Sequence, residues 1–254
     1  MRQRFVMAMS VAAVALFTVA PAQAQSSKAA WRFQEVIALS QSADTEPGTS
    51  VGTGPNSTPW VTVLRTNIKT PNLKELAIGV SMQCGIITDT TVRSIGGDKD
   101  TSAAQARIKI RVKIIQPDNS VVYAEPDNGA DIADLLPAGP GITYCDRYQR
   151  LEAKFAGFNC TTDFTGAVSC EDPEELRLIL KTLNANHFNF LHANAVPGVQ
   201  TIEVQAKAEA GVALGGTAMG AAGSEAFVGA GAVSVETIRL VKDANGTTDL
   251  TDLR

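Results

Sequence analysis

Between residues 104 and 114 the chain alternates without a break. Ala104, Ala106, Ile108, Ile110, Val112 and Ile114 are apolar, while Gln105, Arg107, Lys109, Arg111 and Lys113 are polar or cationic. A period of two collects the apolar side chains on one pleated face and every charge on the other. A helix would scatter the same residues around its circumference. The segment is therefore a strand, and its apolar face demands a second layer to cover it. Residues 201–209 repeat the pattern, with Ile202, Val204, Ala206 and Ala208 set against Glu203, Gln205, Lys207 and Glu209.

Weaker strand signals occupy 31–39, 60–69, 73–88, 142–158, 188–191 and 233–241. Pro117-Asp118-Asn119-Ser120 is turn chemistry that lets 121–123 run back as a hairpin partner. The Gly-, Pro-, Ser- and Thr-rich stretch 41–59 reads as a long loop, 126–141 as irregular, and the Gly/Ala-rich stretch 211–231 as a connection. One helix is expected at about 173–184. Asp172 would cap it, Pro173 suits its first turn, and Leu176, Ile179, Leu180 and Leu183 fall at helical spacing. Many short strands, one short helix and no βαβ alternation predict a mainly β fold, an antiparallel β-sandwich or jelly roll.

Destination comes from the first 24 residues. Arg2 and Arg4 precede a 16-residue apolar run broken only by Ser10 and Thr18, and Pro21 then precedes Ala22-Gln23-Ala24. These are the parts of a signal peptide, cleaved near Ala24/Gln25. No later stretch is apolar enough to span a bilayer as a helix. The expected organisation is a leader over 1–24, a single β-sandwich domain over 25–242 and a polar tail over 243–254, secreted or periplasmic. Beyond the leader stand 20 basic and 26 acidic residues, so a general nucleic-acid partner is not expected.

An oxidising compartment lets Cys84, Cys145, Cys160 and Cys170 pair. Three connectivities are open. The preferred one closes the polar 161–169 loop with Cys160–Cys170 and leaves Cys84–Cys145 as a long-range staple.

The remaining chemistry is sparse. Gly48-Thr49-Ser50-Val51-Gly52 fits G-x-S-x-G but lies in a loop with no helix after it, which is a chance match. His187 and His192 are five apart, an offset that neither a helix nor a strand places on one face. Acidic turns at Asp98/Asp100, Asp127/Asn128/Asp131 and Asp243/Asn245/Asp249 leave calcium as a minor alternative to an expectation of no cofactor and no metal. Asn159-Cys160-Thr161 and Asn245-Gly246-Thr247 match glycosylation sequons. No catalytic constellation emerges. The best binding candidates are the row Arg107, Lys109, Arg111 and Lys113, suited to an anionic surface, and Trp60 as a stacking platform.

The segment HFNFLHANAVPGVQTIEVQAKAEAG, followed by a Gly/Ala-rich connection and GAVSVETIRLVK, resembles the last strands of C1q/TNF-type jelly-roll modules and of a group of uncharacterised secreted bacterial proteins. That resemblance covers about a fifth of the chain and implies a sandwich in an adhesive, binding or scaffold setting, with no catalytic residue to carry over. The functional expectation is a secreted non-enzymatic protein that binds a glycan, an anionic surface polymer or a protein partner, or that serves structurally, with oligomers compatible. The alternative is an extracellular polysaccharide hydrolase or lyase on the same scaffold, which needs paired carboxylates in a groove.

Overall fold

The computed structural model describes residues 29–35, 39–45, 53–71, 74–94, 99–126, 141–154, 160–170, 174–216 and 220–239. All of the regular structure among them is β. In chain order the strands are β1 (Ala29–Gln34), β2 (Leu39–Thr45), β3 (Thr53–Ser57), β4 (Val61–Thr70), β5 (Lys74–Ser94), β6 (Lys99–Ile115), β7 (Val121–Tyr123), β8 (Glu125–Pro126), β9 (Ile142–Lys154), β10 (Cys160–Thr162), β11 (Val168–Cys170), β12 (Glu174–Ala195), β13 (Gly198–Gly216) and β14 (Ala221–Ile238).

Two antiparallel sheets carry the fold. In sheet A the order is β1-β14-β5-β12-β8, with β2 beside β1 on the same flank of β14; in sheet B it is β3-β13-β6-β7, with β4 also on β13 and β9 also on β6. A small β10–β11 hairpin stands apart from both. This is the β-sandwich that the alternating segments require.

The strands are far longer than the sequence signals suggested. β12 runs for 22 residues and β5 for 21, about 70 Å each at the usual strand rise. None of β5, β6, β12, β13 and β14 contains proline, so every ladder position keeps its N–H donor. The stretch 41–59 is not simply a loop: β2 and β3 both fall within it and pair with β14 and β13. The Gly/Ala-rich stretch likewise ends β13 and begins β14. Val212 and Ala222 of this stretch join Ala43, Ala104 and Ala210 in a small-residue cluster between the sheets. Gly85 belongs to this logic too, since the Phe227 ring lies where its side chain would be.

The expected helix over 173–184 is absent, because from Glu174 onward this segment is strand. Glu174 to His192 pair with Ser94 to Leu76 without a slip. The run Leu176-Arg177-Leu178-Ile179-Leu180 satisfies a period of two as well as a helical one. Nineteen consecutive ladder pairs on β5 then outweigh the local helix signals, as tertiary context routinely does. Asp172 and Pro173, the proposed cap, lie outside the described residues.

The main core joins Leu64, Ile68, Leu76, Ile78, Val80, Met82, Ile108, Ile110, Ile114, Phe190, Ile202 and Val204 between the sheets. Cys84 of β5 and Cys145 of β9 form a disulfide that ties sheet A to sheet B across 61 residues of sequence, with Cα atoms 6.7 Å apart. One residue before Cys145 on β9, the buried Tyr144 hydroxyl accepts from the Met82 amide at 2.6 Å and donates to carbonyl oxygens of Met82 and Asn186. Burial pushes its pKa up. Gln149 continues the seam: its amide donates to Thr90 Oγ1 and to the Leu178 carbonyl, while its Oε1 accepts from Thr88. For the remaining cysteines, the β10–β11 register sets Cys160 opposite Cys170 in the backbone.

Candidate functional site

The outward face of sheet B gathers the residues singled out by alternation. Register fixes what each one meets: Lys113 lies opposite Glu203, Arg111 opposite Gln205, Lys109 opposite Lys207 and Arg107 opposite Glu209. Glu209 draws in three cations, Lys207 at 3.2 Å, Lys109 at 3.4 Å and Arg107 at 3.7 Å. Arg107 also reaches Asp146 of β9 at 3.5 Å. Glu203 is shared by Lys113 at 3.2 Å and Arg65 of β4 at 3.8 Å.

Arg111 is built in differently. Its guanidinium stacks 4.4 Å from the Trp60 ring centroid and 4.8 Å from that of Tyr123, and its Nε donates to Gln205 Oε1 at 2.8 Å. It is buried, and desolvation lowers its pKa against a smaller opposing effect of Tyr123. A desolvated cation between two rings gains on the order of 2 kcal/mol from cation–π attraction. Gly141 makes room for the arrangement. Its φ of +65° turns the chain into β9, and the Trp60 ring occupies the space where a side chain would stand. Trp60 is thus a wall of the Arg111 site and only half-exposed, rather than an open stacking platform.

The basic row is therefore a cross-strand charge ladder. Between Arg107 and Lys113 the described residues place six cations (Arg65, Arg107, Lys109, Arg111, Lys113, Lys207) against three carboxylates (Asp146, Glu203, Glu209). Among the described residues the face is polar and net positive. A dimple of about 50 Å³ lies on it beside Gln105, Arg107, Glu209 and Gly211. On sheet A a larger hollow of about 210 Å³ is lined by Asp89, Thr91, Arg93, Glu175 and Arg177. Its charges are already matched, with Arg177 on Asp89 and Arg93 on Glu175 at 2.7 Å. Small-molecule sites usually run to roughly 300–1,000 Å³.

Glu203 and Glu209 sit six residues apart on one strand, about 20 Å at the usual rise. Glycosidic acid–base pairs work across less than about 10 Å.

His187 and His192 lie on opposite faces of β12, as their odd spacing requires. His187 faces outward and bonds Ser81 Oγ at 2.7 Å and Asn189 Oδ1 at 2.9 Å. His192 points inward, and burial alone lowers its pKa. Asp100 is buried and accepts from the Arg93 amide at 3.0 Å. Its expected calcium partner Asp98, the other two acidic turns, the G-x-S-x-G stretch, Asn159 and Asn245 lie outside the described residues. Among the described residues no group of three His, Cys, Asp or Glu is placed to hold a metal ion, and no helix is long and apolar enough to cross a membrane.

Sequence reasoning found four of the six cations of this face but missed Arg65, Lys207, Glu203, Glu209, Asp146, Gln205 and Tyr123. Glu203, Gln205 and Glu209 stood in plain view on an alternating strand. What was hidden was that this strand lies beside the basic one.

No protein-family model matches this chain, and no curated protein matches it. Among solved structures, it aligns with that of infectious bursal disease virus Gx strain over 84% of this chain and 40% of that one, at 9% identity and a TM-score of 0.18. It aligns with the infectious bursal disease virus VP2 subviral particle over 96% and 51%, at 12% identity and a TM-score of 0.16. The chain thus spans about half or less of the length of these proteins.

Proposed function

We propose that this protein is exported, does no catalysis, and works by binding or as a structural component at a cell surface or in extracellular material. Its leader is cut near Ala24/Gln25, and the domain over 25–242 acts outside the cytoplasm, secreted or periplasmic. The disulfide between the sheets suits that compartment, and Cys160–Cys170 is the second bridge. The C1q/TNF-like ending agrees with a sandwich used for contact, although its two halves stand in opposite sheets here, as β13 and β14.

One observation carries the binding reading: on the outer face of sheet B the described residues set six cations against three carboxylates, in an otherwise acidic chain. Such a face fits an anionic glycan or surface polymer, drawn in by charge and held by polar contacts. The test is binding of the mature chain to arrays of anionic polysaccharides at low and physiological salt. K109E and K113E should each abolish binding, and each carries a folding control, because the new carboxylate faces Glu209 or Glu203. R111E tests the same face and carries a folding control, because Arg111 is packed between rings. Equal binding by the reversed variants, or no binding to any anionic polymer at low salt, would overturn this reading. Turnover of a polysaccharide that one point mutation abolishes would overturn the absence of catalysis.

A further inference from the structure

Sheet A is one strand wider than sheet B. β5 is roofed by β6 and β9, and β14 by β13 and β6, but β12 touches β9 in only two described places, near its middle where Asn186 and Phe188 meet Tyr144, and near its start where the Leu178 carbonyl accepts from Gln149. The first half of β12 overhangs. Its inward side chains Leu176, Leu178 and Leu180 remain 45%, 39% and 39% exposed, although their neighbours on β5, Val92, Thr90 and Thr88, are fully buried. On the outward face Ile179 and Leu183 are 45% and 61% exposed. Among the described residues only β8 pairs with the outer edge of β12, at Phe190 and Leu191. From Glu174 to Asn189 no described strand pairs with this edge, and over its first half the apolar Leu176, Leu178, Ile179, Leu180 and Leu183 are interspersed with Glu175, Arg177 and Lys181. Native edges are normally short, charged or covered, because such a ribbon templates another strand.

We propose that this edge takes a second copy of the same chain, joined antiparallel about a two-fold axis at Leu178. The occupant follows from charge. A two-fold axis centred on a residue keeps inner face against inner face, whereas one centred between residues does not. Centring on Arg177 or Lys181 sets like charges directly opposite, and centring on Ile179 pairs Arg177 with Lys181. Centring on Leu180 matches no opposite charges. Centring on Leu176 pairs Glu175 with Arg177 but overlaps only five described residues. Centring on Leu178 pairs Glu174 with Thr182, Glu175 with Lys181, Leu176 with Leu180 and Leu178 with itself. Both Glu175–Lys181 contacts are attractive, and among the described residues Lys181 meets no carboxylate of its own chain. The leucines of both copies then form one continuous apolar floor between the two β9 strands.

Sedimentation of the full chain across a concentration series tests this. The wild type is expected to dimerise, and K181E and E175K should each weaken the dimer by at least about tenfold, since two attractive cross-strand pairs become repulsive. An equal mixture of K181E and E175K should recover association, because both contacts are then opposite in sign. Independently, L178C should form an interchain disulfide, its Cα atoms lying about 4.5–5.5 Å apart across the axis. N184C, far from the axis, should not. Lys181 faces Ile87 within its own sheet, so K181E leaves the fold intact, whereas E175K also breaks the Glu175 pair with Arg93 and carries a folding control. A wild type that stays monomeric up to about 100 μM, where a micromolar contact is saturated, would overturn the proposal. So would a K181E dimer as tight as wild type, or equal cross-linking by L178C and N184C.

Discussion

Replacing Cys84 and Cys145 together by alanine removes the covalent tie between β5 and β9 while leaving the ladders of both sheets in place. The bridge spans 61 residues. Loop-closure entropy for that span lies between the values for 15- and 100-residue loops, at about 4 kcal/mol of stability at 25 °C. Most of it acts on the unfolded chain, in which β6, β7 and β8 are held inside a closed loop. The variant should therefore show two changes in urea. Its midpoint should fall by an amount equivalent to about 4 kcal/mol, and its denaturant slope should rise, because an uncrosslinked chain exposes more surface on unfolding. Alanine is chosen over serine because Cys84 is buried, and a hydroxyl there would stand without a partner. Double substitution is cleaner than reductant, which would act on every bridge in the chain. A midpoint shift equivalent to less than about 1 kcal/mol would refute the reasoning: the sheets would then be held by packing alone, with the unfolded chain no freer without the bridge.

Two further outcomes are expected. His192 is half-buried, its Nε2 is buried without a hydrogen-bond partner among the described residues, and desolvation holds its folded pKa below the ordinary 6.5. As pH falls through 6.5 the unfolded chain takes up the proton first, so stability should decline below that point, and His192→Leu should flatten this part of the curve; a slope unchanged in the variant would refute the assignment. Phe190→Ala, at one of the largest fully buried side chains, should cost about 3–5 kcal/mol through lost burial and the cavity left behind, whereas Phe33→Ala, on an exposed ring of β1, should leave the melting curve close to wild type.

How much of this was readable beforehand differs from element to element. The 104–114 and 201–209 strands announced themselves, because one wet face and one dry face leave a period of two in the residues themselves. The 211–231 stretch did not. Alanine and glycine have weak strand preference, and they became strand because only small side chains fit where the sheets close on Ala104 and Ala210. The 173–184 stretch misled for the opposite reason. Near-continuous apolar residues suit either periodicity, and the capping signals were local, while the β5 ladder that decided the matter begins some hundred residues earlier. At the candidate site the cations were visible and their partners were not, since Glu209 meets Arg107, Lys109 and Lys207 only once β13 lies in register beside β6.

Composition and alternation alone determined that this chain must form layered β-sheets, because each strand carries its own record of which face avoids water. Only tertiary structure decided which strands became neighbours, how the basic row was matched by carboxylates, and where the inner leucines of β12 were left without a roof. Those outcomes depend on register and on the unequal widths of two sheets, which are relations between distant segments that no single segment encodes.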